Sequence, residues 1–280
     1  MAKIELRNQN TIAKKVYFSG IALHHGTRAK IALCPAQPDS GIVFYSGNGK
    51  LPANLNYALY TNNMTCLHNN SNYVYCIEHL MAVLASMKID NCMAELSGSP
   101  EMPWGDGSGM PYVKLIKKAG IKKQNEKCYG FILDKTISVS NGDRSITARP
   151  LIGAKNPVIK CAIDFDNIVG KQKFRYVATQ TNFTNQIANA RSFFSSKLTY
   201  EEITARFPGY SKDNVIAYDE KGFLTKLRYK DECVRHKILD FIGDFALLGK
   251  PVIAEFLLVK PGHQLHLDFA RKCRNLYKLL

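Results

Sequence analysis

His236 and Asp240 stand four residues apart in the sequence, and Asp244 follows four residues later. If this segment is helical, the three side chains lie on one face, because residues four apart are neighbours on a helix. An imidazole and a carboxylate so placed can bind one metal ion from a single helix. The alternative is an exposed His–Asp pair, which stabilises a helix by only roughly 0.2–0.5 kcal/mol. The apolar stripe beside this face favours the first interpretation, since charged groups in apolar surroundings need partners.

A second candidate, Glu78-His79, stands at the start of an apolar segment. His79 could supply a third ligand, because two histidines and one carboxylate form a recurring catalytic zinc site with water in the fourth position. Glu78 could then take a proton from that water, a role that suits a carboxylate whose pKa is raised in a dry site. In the alternative, Glu78 interacts with the helix dipole and His79 is half-buried.

The third candidate is His263, which follows a Pro-Gly turn after Lys260. A protonated imidazole there could stabilise an oxyanion or protonate a leaving amine. Asp244 could orient it, as carboxylates often orient imidazoles. The alternative is a histidine that merely begins a helix.

These candidates depend on elements that bring distant segments together. The apolar periods predict helices at residues 77–88, 111–119, 230–248 and 263–278. Strands are predicted within 3–34 and 128–177 and at 92–96 and 252–259, with a polar connection at 120–127 and an irregular segment at 195–222. Each half thus runs strands, long helix, strand, helix. That order predicts an α+β fold of two duplicated α+β domains, residues 1–124 and 125–280, with sheets packed on helices.

The composition is that of a globular protein with excess positive charge. Of the 280 residues, 46% are hydrophobic and 22% charged, and the formal net charge is +15. Such an excess can attract nucleic acid, an anionic membrane or a phosphorylated substrate. The basic residues are scattered and no nucleic-acid motif occurs, so we expect no nucleic-acid partner.

The eight cysteines include no C-x-x-C pair, which argues against ribbon-type and finger-type zinc sites. We interpret them as reduced thiols in the core. The first residues contain no apolar signal region, and no run of about 18 apolar residues occurs. We therefore expect a cytoplasmic protein without an integral membrane segment.

The candidate segments belong to a longer series of motifs in a fixed order. They are residues 19–26 (SGIALHHG), 61–67 (TNNMTCL), 77–81 (IEHLM), 89–91 (IDN), 100–108 (PEMPWGDGS), 190–193 (ARSF), 235–244 (RHKILDFIGD) and 262–263 (GH). On these motifs the chain resembles, from end to end, the UDP-3-O-acyl-N-acetylglucosamine deacetylases. Members of this family are zinc enzymes that commit lipid A synthesis in Gram-negative bacteria.

The resemblance implies a set of roles. His79, His236 and Asp240 would hold one Zn²⁺, although such a site can also accept Fe²⁺. The implied catalytic residues are Glu78 as general base, His263 as electrostatic partner and general acid, Asp244 holding His263, and Ser192 where the family carries threonine. The implied substrate contacts are Lys237, Lys260, Phe165 and Arg144 for the UDP part, Leu23 and Met64 near the sugar and reaction centre, and Phe193.

The resemblance also implies two α+β domains with the active site at the domain interface. The implied reaction removes the N-acetyl group of a UDP-linked, 3-O-acylated N-acetylglucosamine, and we expect a monomer. The sequence leaves two alternative functions open. One is a metal amidohydrolase of the same fold that acts on another acylated amine, and the other is a basic module that binds RNA or anionic membrane. The first is motivated by residues 195–214, which look short and depart from the family pattern.

Overall fold

A computed structural model describes residues 2–47, 49–165, 168–195 and 200–277 of the chain. The elements of the first half are β1 (Ala2–Ile12), β2 (Val16–Ile21), β3 (Arg28–Pro35), β4 (Ile42–Ser46), β5 (Gly49–Pro52), β6 (Ala58–Thr61), β7 (Met64–Asn69), β8 (Asn72–Tyr75), α1 (Glu78–Ser86), β9 (Cys92–Ser97) and α2 (Met110–Ala119).

The elements of the second half are β10 (Ile121–Ile132), β11 (Ile137–Asn141), β12 (Arg144–Arg149), β13 (Val158–Asp164), β14 (Lys171–Val177), α3 (Gln180–Asn182) with a π-helical turn (Phe183–Ile187), β15 (Phe193–Ser195), α4 (Tyr200–Arg206), β16 (Ile216–Tyr218), α5 (Glu232–Ala246), β17 (Val252–Ile253), β18 (Glu255–Val259) and α6 (His263–Tyr277). The four predicted helices are confirmed to within two residues at each end, except that residue 278 lies outside the described residues.

The two halves repeat one sheet topology. The strand order is β2-β3-β9-β4-β5 in the first half and β11-β12-β18-β13-β14 in the second. The central strand is β9 in the first sheet and β18 in the second. In the sequence β9 lies between α1 and α2, and β18 lies between α5 and α6. Each central strand is antiparallel to one neighbour and parallel to the other. The predicted duplicated α+β fold is therefore confirmed by topology. Shorter sheets, β6-β7-β8 and β15-β16, accompany the repeated units.

The predicted connection at 120–127 is wrong, because residues from Ile121 onwards form β10. This strand pairs antiparallel with β1 and parallel with β17. Its first residues are mostly exposed, and strand hydrogen bonds join backbone groups, so a polar strand can pair as well as an apolar one. The boundary between residues 124 and 125 falls inside β10, so this strand does not mark it. We therefore propose the division into 1–124 and 125–280 only on the basis of the repeated sheet topology.

Two smaller predictions also need correction. The segment 195–222, predicted to be irregular, contains α4 and β16 within its described part, while residues 196–199 lie outside the described residues. The single strand predicted at 252–259 is interrupted at Ala254, so that β17 joins β10 while β18 enters the second-half sheet. All eight cysteines are buried and unpaired, which confirms core thiols. Among the described helices, none is both long and apolar enough for a membrane crossing.

The apolar helices α1 and α5 pack directly against each other. Gly243 sets their approach, because a Cβ atom at this position would collide with the backbone oxygen of Glu78. Gly243 lies in α5 between Asp240 and Asp244. The missing side chain therefore lets the first turn of α1 lie against the α5 face that carries the candidate site.

Replacing Gly243 with alanine is expected to lower the free energy of unfolding by about 1–3 kcal/mol, the usual cost of forcing extra atoms into a packed interior. In an unhindered helix the same change stabilises by about 0.5–1 kcal/mol, so the sign of the effect is diagnostic. Urea unfolding of both proteins measures it. A stabilised variant would show that the two backbones are not in close contact.

Candidate metal centre and active site

Three helices bring the candidate residues into one buried site. Glu78 and His79 begin α1, His236 and Asp240 lie one turn apart in α5, and His263 begins α6. All five side chains are buried. The alternative of an exposed His–Asp pair on α5 is therefore wrong, since Asp240 is only 1% exposed.

His79, His236 and Asp240 are spaced like ligands of one ion. The Nε2 atoms of the two histidines lie 3.1 Å apart, and Asp240 Oδ1 lies 3.8 Å from His79 Nε2. Ligand atoms held tetrahedrally at 2.0–2.2 Å from an ion lie roughly 3.4 Å apart. Asp240 Oδ1 is buried without a hydrogen-bond partner among the described residues, as expected of an oxygen reserved for a cation.

The ionisation of these side chains suits a divalent metal. Burial lowers the pKa of His79 to about 4 and that of His236 to about 3, so both imidazoles are neutral near pH 7. Burial alone would raise the pKa of Asp240, but the neighbouring His236, the Lys237 ammonium 3.0 Å from Oδ2 and His263 together lower it below the usual carboxyl range. Two neutral imidazoles and one carboxylate form a donor set found in catalytic metal sites.

Glu78 lies beside this ligand set with little to stabilise its charge. Burial raises the pKa of its carboxyl to about 8, even though His263 acts in the opposite direction. The backbone N–H of Thr65 donates to Oε2 over 3.2 Å. In its ionised form this carboxyl can take a proton from water, and the raised pKa lets the acid form keep that proton near neutral pH.

His263 and Asp244 are in contact, as the sequence suggested. Asp244 Oδ2 accepts hydrogen bonds from Nδ1 of His263 and Nδ1 of His266, each over 2.7 Å. Burial alone would lower the pKa of His263, but Asp244 and Asp240 raise it to about 9. The imidazolium form of His263 therefore predominates at neutral pH.

His266 was not among the sequence candidates. It is fully buried, burial lowers its pKa, and its Nε2 has no hydrogen-bond partner among the described residues. The available signal was its spacing of three from His263, which places both imidazoles on one face of α6. His266 therefore hydrogen-bonds the same Asp244 carboxylate that orients His263.

Several predicted substrate contacts also reach this site. The Phe193 ring lies 6.2 Å from the His236 ring and 5.6 Å from the Phe165 ring. Lys237 Nζ lies 5.4 Å from the centre of the Phe193 ring. The structure thus brings Phe165, Phe193 and Lys237 together at the edge of the candidate ligand set.

Ser192 is anchored through its neighbour. The guanidinium and backbone N–H of Arg191 both donate to the buried carboxylate of Glu232, the first residue of α5. The carbonyl of Ser192 accepts a hydrogen bond from the Ile216 N–H. Ser192 is half-buried and precedes Phe193 directly. Its hydroxyl contact with substrate stays a prediction.

The remaining predicted contacts lie in two places. Met64 is buried beside Cys76, with 3.5 Å between the sulfur atoms, and Leu23 is buried. Lys260 pairs instead with Asp143 over 2.7 Å, and Arg144 is exposed at the start of β12. The Lys260 ammonium thus lies near Asp143, in the turn between β11 and β12, and near Asp164 at the end of β13. The UDP roles of Lys260 and Arg144 stay predictions.

A second group of metal-binding residue types surrounds Glu101. This carboxylate is fully buried and accepts hydrogen bonds from the backbone N–H and ring Nδ1 of both His24 and His25. The Cys76 thiol also lies 3.4 Å away. Glu101 thus connects the loop after β2 with the residues between β8 and α1. Because its oxygens already have hydrogen-bond partners, we interpret the group as structural.

Glu101 is expected to make stability depend on acid pH. Burial alone would raise its pKa, but the hydrogen bonds from His24 and His25 lower it to about 2. A depressed carboxyl pKa stabilises the fold above the unfolded-state value of about 4.5, and this contribution disappears as the pH falls from about 4.5 to about 2. At pH 7, Glu101→Gln should cost on the order of 3 kcal/mol. Urea unfolding at pH 7, 5 and 4 checks this, since the gap between the two proteins should narrow towards low pH; a constant gap would contradict the assignment.

Comparisons with known proteins identify the family of the chain. The sequence profile of the UDP-3-O-acyl N-acetylglycosamine deacetylase family matches residues 9–275. A UDP-3-O-acyl-N-acetylglucosamine deacetylase of Anaeromyxobacter sp. is 37% identical over 271 residues, which cover 95% of this chain and 88% of the relative. A protein of the same name from Thermodesulfovibrio yellowstonii is 37% identical, with 94% and 91% covered. One from Coxiella burnetii is 34% identical, with 94% and 89% covered. The chain therefore belongs to the UDP-3-O-acyl N-acetylglycosamine deacetylase family, which consists of metalloenzymes.

Proposed function

We propose that this protein hydrolyses the N-acetyl group of a UDP-linked, 3-O-acylated N-acetylglucosamine, giving the free amine and acetate, as a step of lipid A biosynthesis. The observation that carries the proposal is the convergence of Glu78, His263 and the His79–His236–Asp240 set in one buried site. The relatives named above carry this activity in their names. A nucleotide-linked substrate also fits the proposed cytoplasmic location.

We propose Zn²⁺ as the ion held by His79, His236 and Asp240, with Fe²⁺ as the alternative that such donors accept. A divalent ion there supplies Lewis acidity, which lowers the pKa of water from about 15.7 towards about 7 and polarises a carbonyl group. The neutral imidazoles and the unpartnered oxygen of Asp240 support this assignment.

Glu78 is proposed to take the proton from the attacking water. Its carboxyl lies beside the ligand set, is shielded from solvent and has a pKa near 8. The carbonyl carbon of the acetamide then gains the water oxygen, and negative charge develops on the carbonyl oxygen. A base of matched pKa contributes about a hundredfold to ten-thousandfold in rate.

His263 is proposed to stabilise that developing charge. It is cationic near neutral pH, and Asp244 holds its Nδ1 so that Nε2 is left to face the reaction. The Ser192 hydroxyl is proposed as a further donor to the oxyanion. The proton for the leaving nitrogen comes from His263 or from Glu78, which has kept the proton taken from water.

The substrate is proposed to lie across the Phe165–Phe193–Lys237 edge. Lys237, Lys260 and Arg144 would supply positive charge for the diphosphate, and the two phenylalanine rings would pack against the rest of the UDP part. Met64 and Leu23 would border the sugar. A few of the basic residues that give the net charge of +15 would therefore bind the diphosphate.

The test is acetate release from acetylated UDP-glucosamine with and without its 3-O-acyl chain, coupled to metal analysis of the purified protein. Release that requires both bound metal and the acyl chain supports the proposal. Metal-dependent release from another acylated amine, but not from the UDP-sugar, would favour the alternative amidohydrolase. Salt-sensitive binding of RNA or vesicles by a protein without metal would favour the binding module.

A further inference from the structure

A separate cavity lies behind the α1–α5 pair. It has a volume of about 630 Å³ and is lined from α1 by Leu84 and Ala85 and from α5 by Phe241, Ile242 and Phe245. Residues of β1 and β10 and of both sheet-bearing halves complete its walls, so we call it the seam cavity. None of the candidate metal, catalytic or substrate residues lines it. The two helices thus present one face to the candidate active site and another to the seam cavity.

The inner walls of the seam cavity suit an apolar ligand. The apolar surface accessible to a ligand belongs to residues such as Ala85, Ile242 and Phe245, while Leu84, Phe241 and Tyr176 also line the cavity but are almost fully buried. Small-molecule sites are typically apolar concavities of roughly 300–1,000 Å³. A water molecule or a methylene group takes up roughly 30 Å³, so a volume of about 630 Å³ holds roughly twenty of them. One acyl chain with a small headgroup fits that space.

The rim of the seam cavity is cationic. Lys88, Lys155 and Lys250 are exposed there, and within the described part of the chain no ion pair occupies their ammonium groups. The carboxylates of Asp39 and Asp90 at the same cavity are already hydrogen-bonded by neighbouring side chains. Three uncommitted cations beside apolar walls are complementary to an anionic head joined to an apolar tail.

We propose that the seam cavity binds a single-chain anionic amphiphile. The acyl tail lies against the α1 and α5 residues, and a carboxylate or phosphate head lies at the rim that carries Lys88, Lys155 and Lys250. Because the same helices carry His79 and His236, a bound chain also packs against the elements that hold the candidate metal ligands. This binding site does not depend on the proposed deacetylase activity.

Isothermal titration of the full chain, loaded with zinc, tests the site directly. The probes are dodecanoate and dodecyl phosphate, which separate the two kinds of headgroup, and uncharged dodecanol. We expect one saturable site for at least one of the anions and at least tenfold weaker binding of the alcohol. No saturable binding of either anion, or equal binding of the alcohol, would overturn the proposal.

Two variants locate the bound anion. Ala85→Trp fills the cavity, and a triple change of Lys88, Lys155 and Lys250 to glutamine removes the rim charge without touching the core. Each should weaken anion binding at least tenfold while metal content stays unchanged. The matched control changes the exposed Lys114, Lys117 and Lys118 of α2 to glutamine. Equal affinity in the rim variant and this control would overturn the proposal, whether or not Ala85→Trp folds.

Discussion

Glu78→Gln is expected to lower the rate of acetate release by about a hundredfold or more while the protein keeps its metal. Glutamine has nearly the same shape and keeps an oxygen for the Thr65 N–H, which lies 3.2 Å from the Glu78 carboxylate. It cannot, however, accept a proton from water. The ligand set of His79, His236 and Asp240 is unchanged in this variant. Steady-state kinetics should therefore show a large loss of kcat, while metal analysis should show no loss of metal.

Glu95→Gln is the matched control for this experiment. Glu95 lies in β9 of the same half, is about half-exposed and pairs with Lys15, so its loss should leave the rate almost unchanged. A Glu78→Gln enzyme with full activity would mean that another group removes the proton. Loss of metal from that variant would instead make Glu78 part of the metal site.

His236→Ala is expected to weaken metal binding more than about a hundredfold and to abolish most acetate release. Changes in residues that only support a metal ligand cost about ten- to a hundredfold in affinity, and here a ligand itself is removed. His236 Nε2 lies 3.1 Å from His79 Nε2, so its loss leaves one histidine and Asp240. Metal content after dialysis at a fixed free zinc concentration measures the effect.

His68→Ala controls for the loss of any histidine. His68 lies in β7 and stacks on Tyr73, with a ring-centre distance of 5.9 Å, and it belongs to none of the candidate metal groups. The control should retain its metal and its rate. A folded His236→Ala protein with full metal stoichiometry would remove His236 from the ligand set, and near-ultraviolet circular dichroism establishes whether the variant is folded.

Much of the site was predictable because it depends on local geometry. The spacing of His236, Asp240 and Asp244 places all three on one face of any helix, whatever that helix packs against. The apolar periods likewise predicted the four principal helices to within two residues at each end, and the repeated order of elements predicted the duplicated sheets. Polarity was a poorer guide at residues 120–127, since strand pairing there uses backbone groups that side-chain types do not reveal.

Other properties arise only when distant segments meet. The pKa of Glu78 near 8 and that of His263 near 9 depend on burial and on neighbours from other elements. The position of His266 on Asp244 and the existence of the seam cavity depend on how three helices pack. Residue types and helical spacing in the sequence therefore determined which groups could do the chemistry. The distances between them, and hence their charges, were decided by tertiary packing at contacts such as Gly243 on Glu78, because electrostatic interactions and desolvation depend on separation in space rather than along the chain.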